Sequence, residues 1–168
     1  MPTLARKTLL LRPKQLQLPA PRYLPALRVT SRFQLKQLQP RANMSGLTTV
    51  TSPNAAPAAG PYSHAIKAAG QIWVAGQIPA DSKGNLVTGS IAEKTEQCCK
   101  NLKAILETAG SDISKVVKTT VFLSDMQHFA EMNGEYEKWF THKPARSCVA
   151  VKQLPKNVDV EIEAVALQ

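Results

Sequence analysis

The chain has 168 residues, is 43% hydrophobic and carries a formal net charge of +9. This length suits one globular domain with a segment to spare. Its longest apolar runs are far below the roughly 18 residues of a membrane span, so we expect a soluble protein. With three cysteines, two of them adjacent, the sequence also argues against a disulfide framework and for a reduced compartment.

The net positive charge comes entirely from the N-terminal segment. Residues 1–43 hold nine Lys/Arg and no Asp/Glu, whereas residues 44–168 hold twelve of each. A basic, leucine-bearing segment without acids is typical of a mitochondrial presequence. We therefore predict a cleaved targeting segment at 1–43, a folded domain at 44–168 and a location in the mitochondrial matrix. Met44 would serve as a second start for a cytosolic form. The alternative is a disordered basic tail that binds anionic surfaces.

Three short strands are predicted first. They cover Leu47–Thr51, Ser63–Ala68 and Gln71–Gln77, with a proline-rich loop between the first two. The second and third strands are joined at Ala69-Gly70, where a tight turn needs positive φ and glycine supplies it.

Two helices and three further strands follow. Ser90 and Glu93 have the form of a capping box and open a helix that ends near Gly110, and Asp125 is expected to cap a second helix that stops before Pro144. The remaining strands are predicted at Val116–Leu123, Arg146–Leu154 and Val158–Leu167. The order β-β-β-α-β-α-β-β indicates an α+β domain, a six-stranded mixed sheet with two helices on one face. The two helices cover only one face of the sheet, so the apolar surface of the other face predicts self-association.

Strand alternation places charged side chains on that second face. If Val149 and Val151 face the core, Arg146 and Cys148 point away from it. In the last strand the same reasoning leaves Glu161 and Glu163 on the side opposite the helices. The pattern thus predicts that Arg146 and Glu161 share one face, either as a structural ion pair at an interface or as part of a catalytic site.

Five motifs in order resemble the RidA (YjgF) family of reactive-intermediate deaminases. The resemblance spans roughly residues 47–167. The motifs are Gly60-Pro-Tyr-Ser63, Gly76-Gln-Ile-Pro79, Val117-Lys-Thr-Thr-Val-Phe122, Pro144-Ala-Arg-Ser-Cys148, and Leu154-Pro-Lys156 with Val160-Glu-Ile-Glu-Ala164. It implies a chorismate-mutase-like fold and a homotrimer with clefts between subunits.

The resemblance also implies an activity, 2-iminobutanoate/2-iminopropanoate deaminase. Such enzymes hydrolyse 2-aminoacrylate and 2-aminocrotonate, which pyridoxal-phosphate enzymes release, to 2-keto acids and ammonia, and need no cofactor or metal. Arg146 would bind the substrate carboxylate, assisted by the backbone amide of Gly76. Carbonyl oxygens around Arg146 and Cys148 would take the imine nitrogen.

Three further side chains receive roles from the resemblance. Tyr62 would close the pocket by hydrogen bonding, Glu161 would position or activate the attacking water, and Asn133 would form or support the pocket wall. Cys148 as a nucleophile is disfavoured because no histidine is obviously paired with it.

Two other functions remain open at this level. One is a non-enzymatic carboxylate-binding or chaperone-like trimer. The other is RNA cleavage or translation inhibition, which is weaker because residues 44–168 are formally neutral, so we do not expect a nucleic acid partner.

Overall fold

The computed structural model describes residues 46–168, so the predictions for residues 1–43 and for Met44 lie outside the described residues. Six strands and two helices occur in the predicted order. They are β1 Thr48–Val50, β2 Ala65–Ala68, β3 Gln71–Gln77, α1 Ile91–Thr108, β4 Val116–Leu123, α2 Phe129–Trp139, β5 Ala145–Ala150 and β6 Val160–Leu167.

The strands form one mixed sheet in the order β1-β2-β3-β6-β4-β5. Neighbours are antiparallel except β4 and β5, which are parallel. A parallel pair needs a crossover connection, and α2 provides it between these two strands. The arrangement leaves β1 and β5 as the edge strands.

The core lies between the sheet and both helices, as predicted. Each large apolar side chain buried there contributes about 1.5–3 kcal/mol to folding. Five of the completely buried ones come from the two helices and from β4 and β6: Leu102, Ile105, Val121, Met132 and Ile162.

The capping predictions are confirmed for α1 and corrected for α2. The Ser90 hydroxyl accepts a hydrogen bond from the Glu93 amide, and the Glu93 carboxylate accepts one from the Ser90 amide at 2.7 Å. Asp125 instead caps a single turn of 3₁₀ helix, Met126–His128, and α2 begins after it.

Four of the six strands begin or end at residues other than those predicted. The turn at Ala69 and Gly70 is confirmed, with φ of 49° and 78°. The predicted strand Arg146–Leu154 stops at Ala150, and β6 starts at Val160 rather than at Val158. Both limits coincide with the end of β4, because Leu123 pairs with Ala150 on one side and with Val160 on the other. A 3₁₀ turn with Lys156 and Asn157 in the left-handed region lies between the two strands. β1 and β2 are likewise shorter than predicted.

Between residues 46 and 168, neither helix combines the length and the apolar character that crossing a bilayer would require.

Candidate functional site

A β-bulge in β3 brings Gly76 against Glu161. Val74 pairs with Ala164 and Gln77 pairs with Ile162, so β3 has one more residue than β6 between these two pairs. A Cβ at Gly76 would lie 2.8 Å from the Glu161 carboxyl carbon. A side chain at this position would displace the carboxylate, which is the movable end of the Glu161 side chain.

The Glu161 carboxyl is half-buried on β6. Burial raises its pKa above the usual glutamate value, and the neighbouring Glu163 charge raises it further. No cation among the described residues forms a salt bridge with it. A carboxyl with a raised pKa is suited to accepting and returning a proton near neutral pH.

Tyr62 lies at the mouth of a small cavity that Gly76 and Gln77 also line. Its ring is 48% exposed, and its hydroxyl oxygen accepts a hydrogen bond from the Ala59 amide at 3.1 Å. The loop thereby holds the phenol beside the bulge. We call Tyr62, Gly76 and Glu161 the glutamate half of the candidate site.

Arg146 lies on the edge strand β5 and reaches over α2. Its guanidinium carbon is 4.7 Å from the centre of the Tyr136 ring and 5.7 Å from that of Phe129. Nη1 donates to Asn133 Oδ1 at 2.7 Å. Aromatic faces and an amide therefore fix an exposed cation, and no group among the described residues accepts a hydrogen bond from its Nε or Nη2.

Cys148 follows Arg146 on the same side of β5 and packs against the core. Burial raises the pKa of its thiol, and the Arg146 charge opposes this rise more weakly. A thiol with a raised pKa is a poor nucleophile, in agreement with a packing role. We call Asn133, Arg146 and Cys148 the arginine half.

The prediction that Arg146 and Glu161 share a face is wrong within one chain. Arg146 pairs with Thr119 and Cys148 with Val121, both buried beneath the helices. Val149 pairs with Phe122 on the other side and is 45% exposed.

The physical reason for this error is the edge position of β5. An edge strand contributes little to the core, so Val149 does not mark the buried side, whereas the guanidinium is stabilised by aromatic rings of α2. The alternation of β4 carries the correct signal. Thr119, Val121 and Leu123 are buried and the residues between them are not.

The two halves thus lie on opposite faces of the sheet. Glu161 projects from the uncovered face of β6, Arg146 lies on the helix-covered face of β5, and β4 separates these strands. In the glutamate half, sequence reasoning missed His64, a buried residue that lines the Tyr62 cavity. The sequence feature that could have indicated His64 is its place two residues after Tyr62, next to the Gly60-Pro-Tyr-Ser63 motif.

Comparison with known proteins places the chain in a family. A profile described as endoribonuclease L-PSP matches residues 53–168. The chain belongs to this family, which includes the RidA (YjgF) proteins. The resemblance derived from the motifs is confirmed.

Three relatives bear on function. Protein MMF1, mitochondrial, of Saccharomyces cerevisiae is 49% identical over 76% of this chain and 89% of its own length, and the crystal structure of yeast Mmf1 superposes with a TM-score of 0.72. The 2-iminobutanoate/2-iminopropanoate deaminase of Salmonella typhimurium is 42% identical over 71% of this chain and 97% of its own. The Escherichia coli TdcF structure with bound serine is 32% identical with a TM-score of 0.69, covering 72% of this chain and 98% of its own.

Proposed function

We propose that this protein hydrolyses 2-imino and 2-enamino acids, such as 2-aminoacrylate and 2-aminocrotonate, to 2-keto acids and ammonia, protecting pyridoxal-phosphate enzymes. The observation that carries the proposal is the pair of prepared groups, the anchored guanidinium of Arg146 and the Glu161 carboxyl with its raised pKa. The relative that bears the deaminase name supports the same chemistry.

Arg146 would bind the substrate through its carboxylate. A guanidinium binds a carboxylate with two parallel hydrogen bonds, which fixes the plane of the substrate as well as its position. Serine, seen in the TdcF structure, carries the same α-carboxylate and α-nitrogen. The backbone at Gly76 approaches such a ligand closely because no side chain intervenes.

Glu161 would act on the water. The enamine first tautomerises to the imine, as its β-carbon gains a proton and its nitrogen loses one. When the water oxygen then bonds to the imine carbon, Glu161 accepts a water proton and the C=N electron pair moves to nitrogen, which takes up a proton. The carbinolamine then loses ammonia as its hydroxyl proton leaves and C=O forms. Glu161 shuttles protons between oxygen and nitrogen, and Tyr62 closes the pocket above them.

A complete site would form between two copies of the chain. One protomer holds the halves on opposite sides of its sheet, whereas a neighbour's β5 edge can present Arg146 to the open face that carries Glu161. The homotrimer with inter-subunit clefts that the family resemblance implies meets this requirement. The proposed oligomer thus supplies both halves to each cleft.

We also propose import into the mitochondrial matrix through residues 1–43, supported by the mitochondrial relative. A fluorescent fusion of the full chain should co-localise with a matrix marker, and a fusion that begins at Met44 should stay in the cytosol. Matrix localisation of the second fusion would contradict the targeting role of residues 1–43.

The activity is tested with 2-aminoacrylate generated in situ and with ammonia release as the readout. We expect the protein to release ammonia faster than the spontaneous rate, and Arg146→Ala to abolish the gain while the trimer persists in sedimentation. Release at the spontaneous rate by the unaltered protein would refute the proposal.

The family description raises a second activity, RNA cleavage. The same preparations should be assayed on single-stranded RNA. Cleavage that Arg146→Ala retains would favour this second function over the carboxylate pocket. Thermal stabilisation by 2-keto acids without any turnover would instead favour a binding protein.

A further inference from the structure

His64 is a buried histidine whose tautomer is set by the backbone. Its side chain is 3% exposed, and its Nδ1 lies 3.0 Å from the amide nitrogen of Ser52. Because that amide donates, Nδ1 must accept and carries no proton. The proton of the neutral ring is therefore on Nε2.

Nε2 has no hydrogen-bond partner among the described residues, although it is inaccessible to bulk solvent. A buried N–H without an acceptor costs about 1–3 kcal/mol. Buried polar groups of this kind are normally paired with protein or with an ordered water. His64 Nε2 therefore needs a partner from outside the described residues.

The cavity beside His64 offers a site for such a partner. Tyr62, Gly76 and Gln77 line it, and its wall includes no acidic side chain. The space open to the centre of a water molecule is about 20 Å³. A single water needs on the order of 10–15 Å³ by this measure, together with two to four polar partners. The cavity fits one water and is too small for a substrate.

Two more polar groups of the cavity have unused capacity. Gln77 donates from Nε2 to the carbonyls of Ala75 and Gly76 at 3.0 and 3.2 Å, which orients its amide and leaves Oε1 as an acceptor. The Tyr62 oxygen accepts from the Ala59 amide, which leaves its own proton to donate.

We propose that one water is bound in this cavity, that it accepts from His64 Nε2–H and from the Tyr62 hydroxyl, and that it donates to Gln77 Oε1. His64 is then a positioning residue that acts on the reaction through Tyr62. Its bond to Ser52 fixes the ring, the ring fixes the water, and the water holds the phenol at the pocket mouth. This role rests on the proposed deaminase function, whereas the water site itself does not.

A double-mutant cycle tests the role of His64 in the full chain. His64→Phe should lower kcat/KM about tenfold, the value of one well-placed hydrogen bond. In a Tyr62→Phe background the same change should cost less than about twofold, because the phenol it acts through is gone. An equal loss in both backgrounds would overturn the coupling.

Two matched variants separate positioning from packing. His64→Gln keeps an acceptor for Ser52 and a donor for the water, so it should retain activity within about threefold. His142→Gln, a histidine change whose ring contacts only the Val116 carbonyl by hydrogen bonding, should leave kcat/KM unchanged. Loss of activity in His64→Gln as large as in His64→Phe would overturn the positioning role.

The water site has a readout that needs no activity. Long-range ¹H–¹⁵N spectra of the wild-type protein should show His64 as the Nε2–H tautomer, with a cross-peak from this proton to a long-lived water. An Nδ1–H tautomer, or the absence of that water signal, would overturn the site. If the protein proves to lack deaminase activity, this spectrum still decides the water site.

Discussion

The charged groups of the glutamate half and the arginine half lie in opposite kinds of environment. Burial and the neighbouring Glu163 charge raise the pKa of Glu161, and no cation of residues 46–168 forms a salt bridge with it. Arg146 is exposed at a sheet edge, where an amide and two aromatic rings hold it. These environments suit the proposed roles, proton exchange for Glu161 and anion binding for Arg146.

Within one protomer, separation of the halves by the sheet maintains this difference. If Arg146 lay beside Glu161 in the same protomer, the two would form an ion pair that lowers the carboxyl pKa and occupies the guanidinium. Because they face opposite sides, neither neutralises the other in the chain. A substrate carboxylate placed between them would occupy the guanidinium and leave Glu161 free to act on water.

The largest expected effect comes from removing the proton acceptor. Glu161→Gln should lower kcat by about a hundredfold or more with little change in KM, since general-base catalysis supplies on the order of 10²–10⁴. Steady-state ammonia release gives both constants. Glu163→Gln, the adjacent carboxylate on the same face, is the control and should keep kcat within about twofold. A rise in KM alone for Glu161→Gln would assign Glu161 to binding.

A smaller effect is expected from crowding the same carboxylate. Gly76→Ala places a Cβ against Glu161 and should lower kcat/KM about tenfold, because the catalytic group is displaced. Gly134→Ala is the matched control, since no heavy atom lies within 4 Å of its new Cβ. Alanine in that helix should raise stability by about 0.5–1 kcal/mol and leave activity unchanged. Full activity of Gly76→Ala would refute the close approach.

The smallest effect is a shift in pH dependence. Glu161 must be ionised to accept a proton, so activity should rise with pH through its pKa. The Glu163 charge raises that pKa, so Glu163→Gln should move the acid limb of the kcat profile to lower pH. Glu96→Gln, an exposed carboxylate on α1, should leave the limb in place. A limb that moves to higher pH in Glu163→Gln would contradict the assignment.

The sequence predicted the order of elements because its signals are local. The capping box at Ser90 and the glycine turn at Gly70 depend on neighbouring residues only, and the structure confirms both. The ends of β5 and β6 were wrong because both strands stop pairing at Leu123, the last residue of their shared neighbour β4, and a strand's own residues do not show where its neighbour ends.

The sequence named candidate residues for the site but did not predict their arrangement. The motifs proposed Arg146, Glu161, Gly76 and Tyr62, and alternation alone placed Arg146 on the wrong face. Which face an edge strand presents depends on its partner, here the parallel register of Thr119 with Arg146. No pattern within residues 144–151 contains that information.

The central claim is that each site combines the glutamate half of one protomer with the arginine half of another. It is tested by co-expressing Arg146→Ala and Glu161→Gln chains with different tags, isolating the mixed oligomers and measuring ammonia release. Every mixed trimer contains one site with both halves intact among its three, so the isolated mixed oligomers should recover about a third of wild-type activity from two inactive parents. Mixed oligomers as inactive as their parents would contradict the claim.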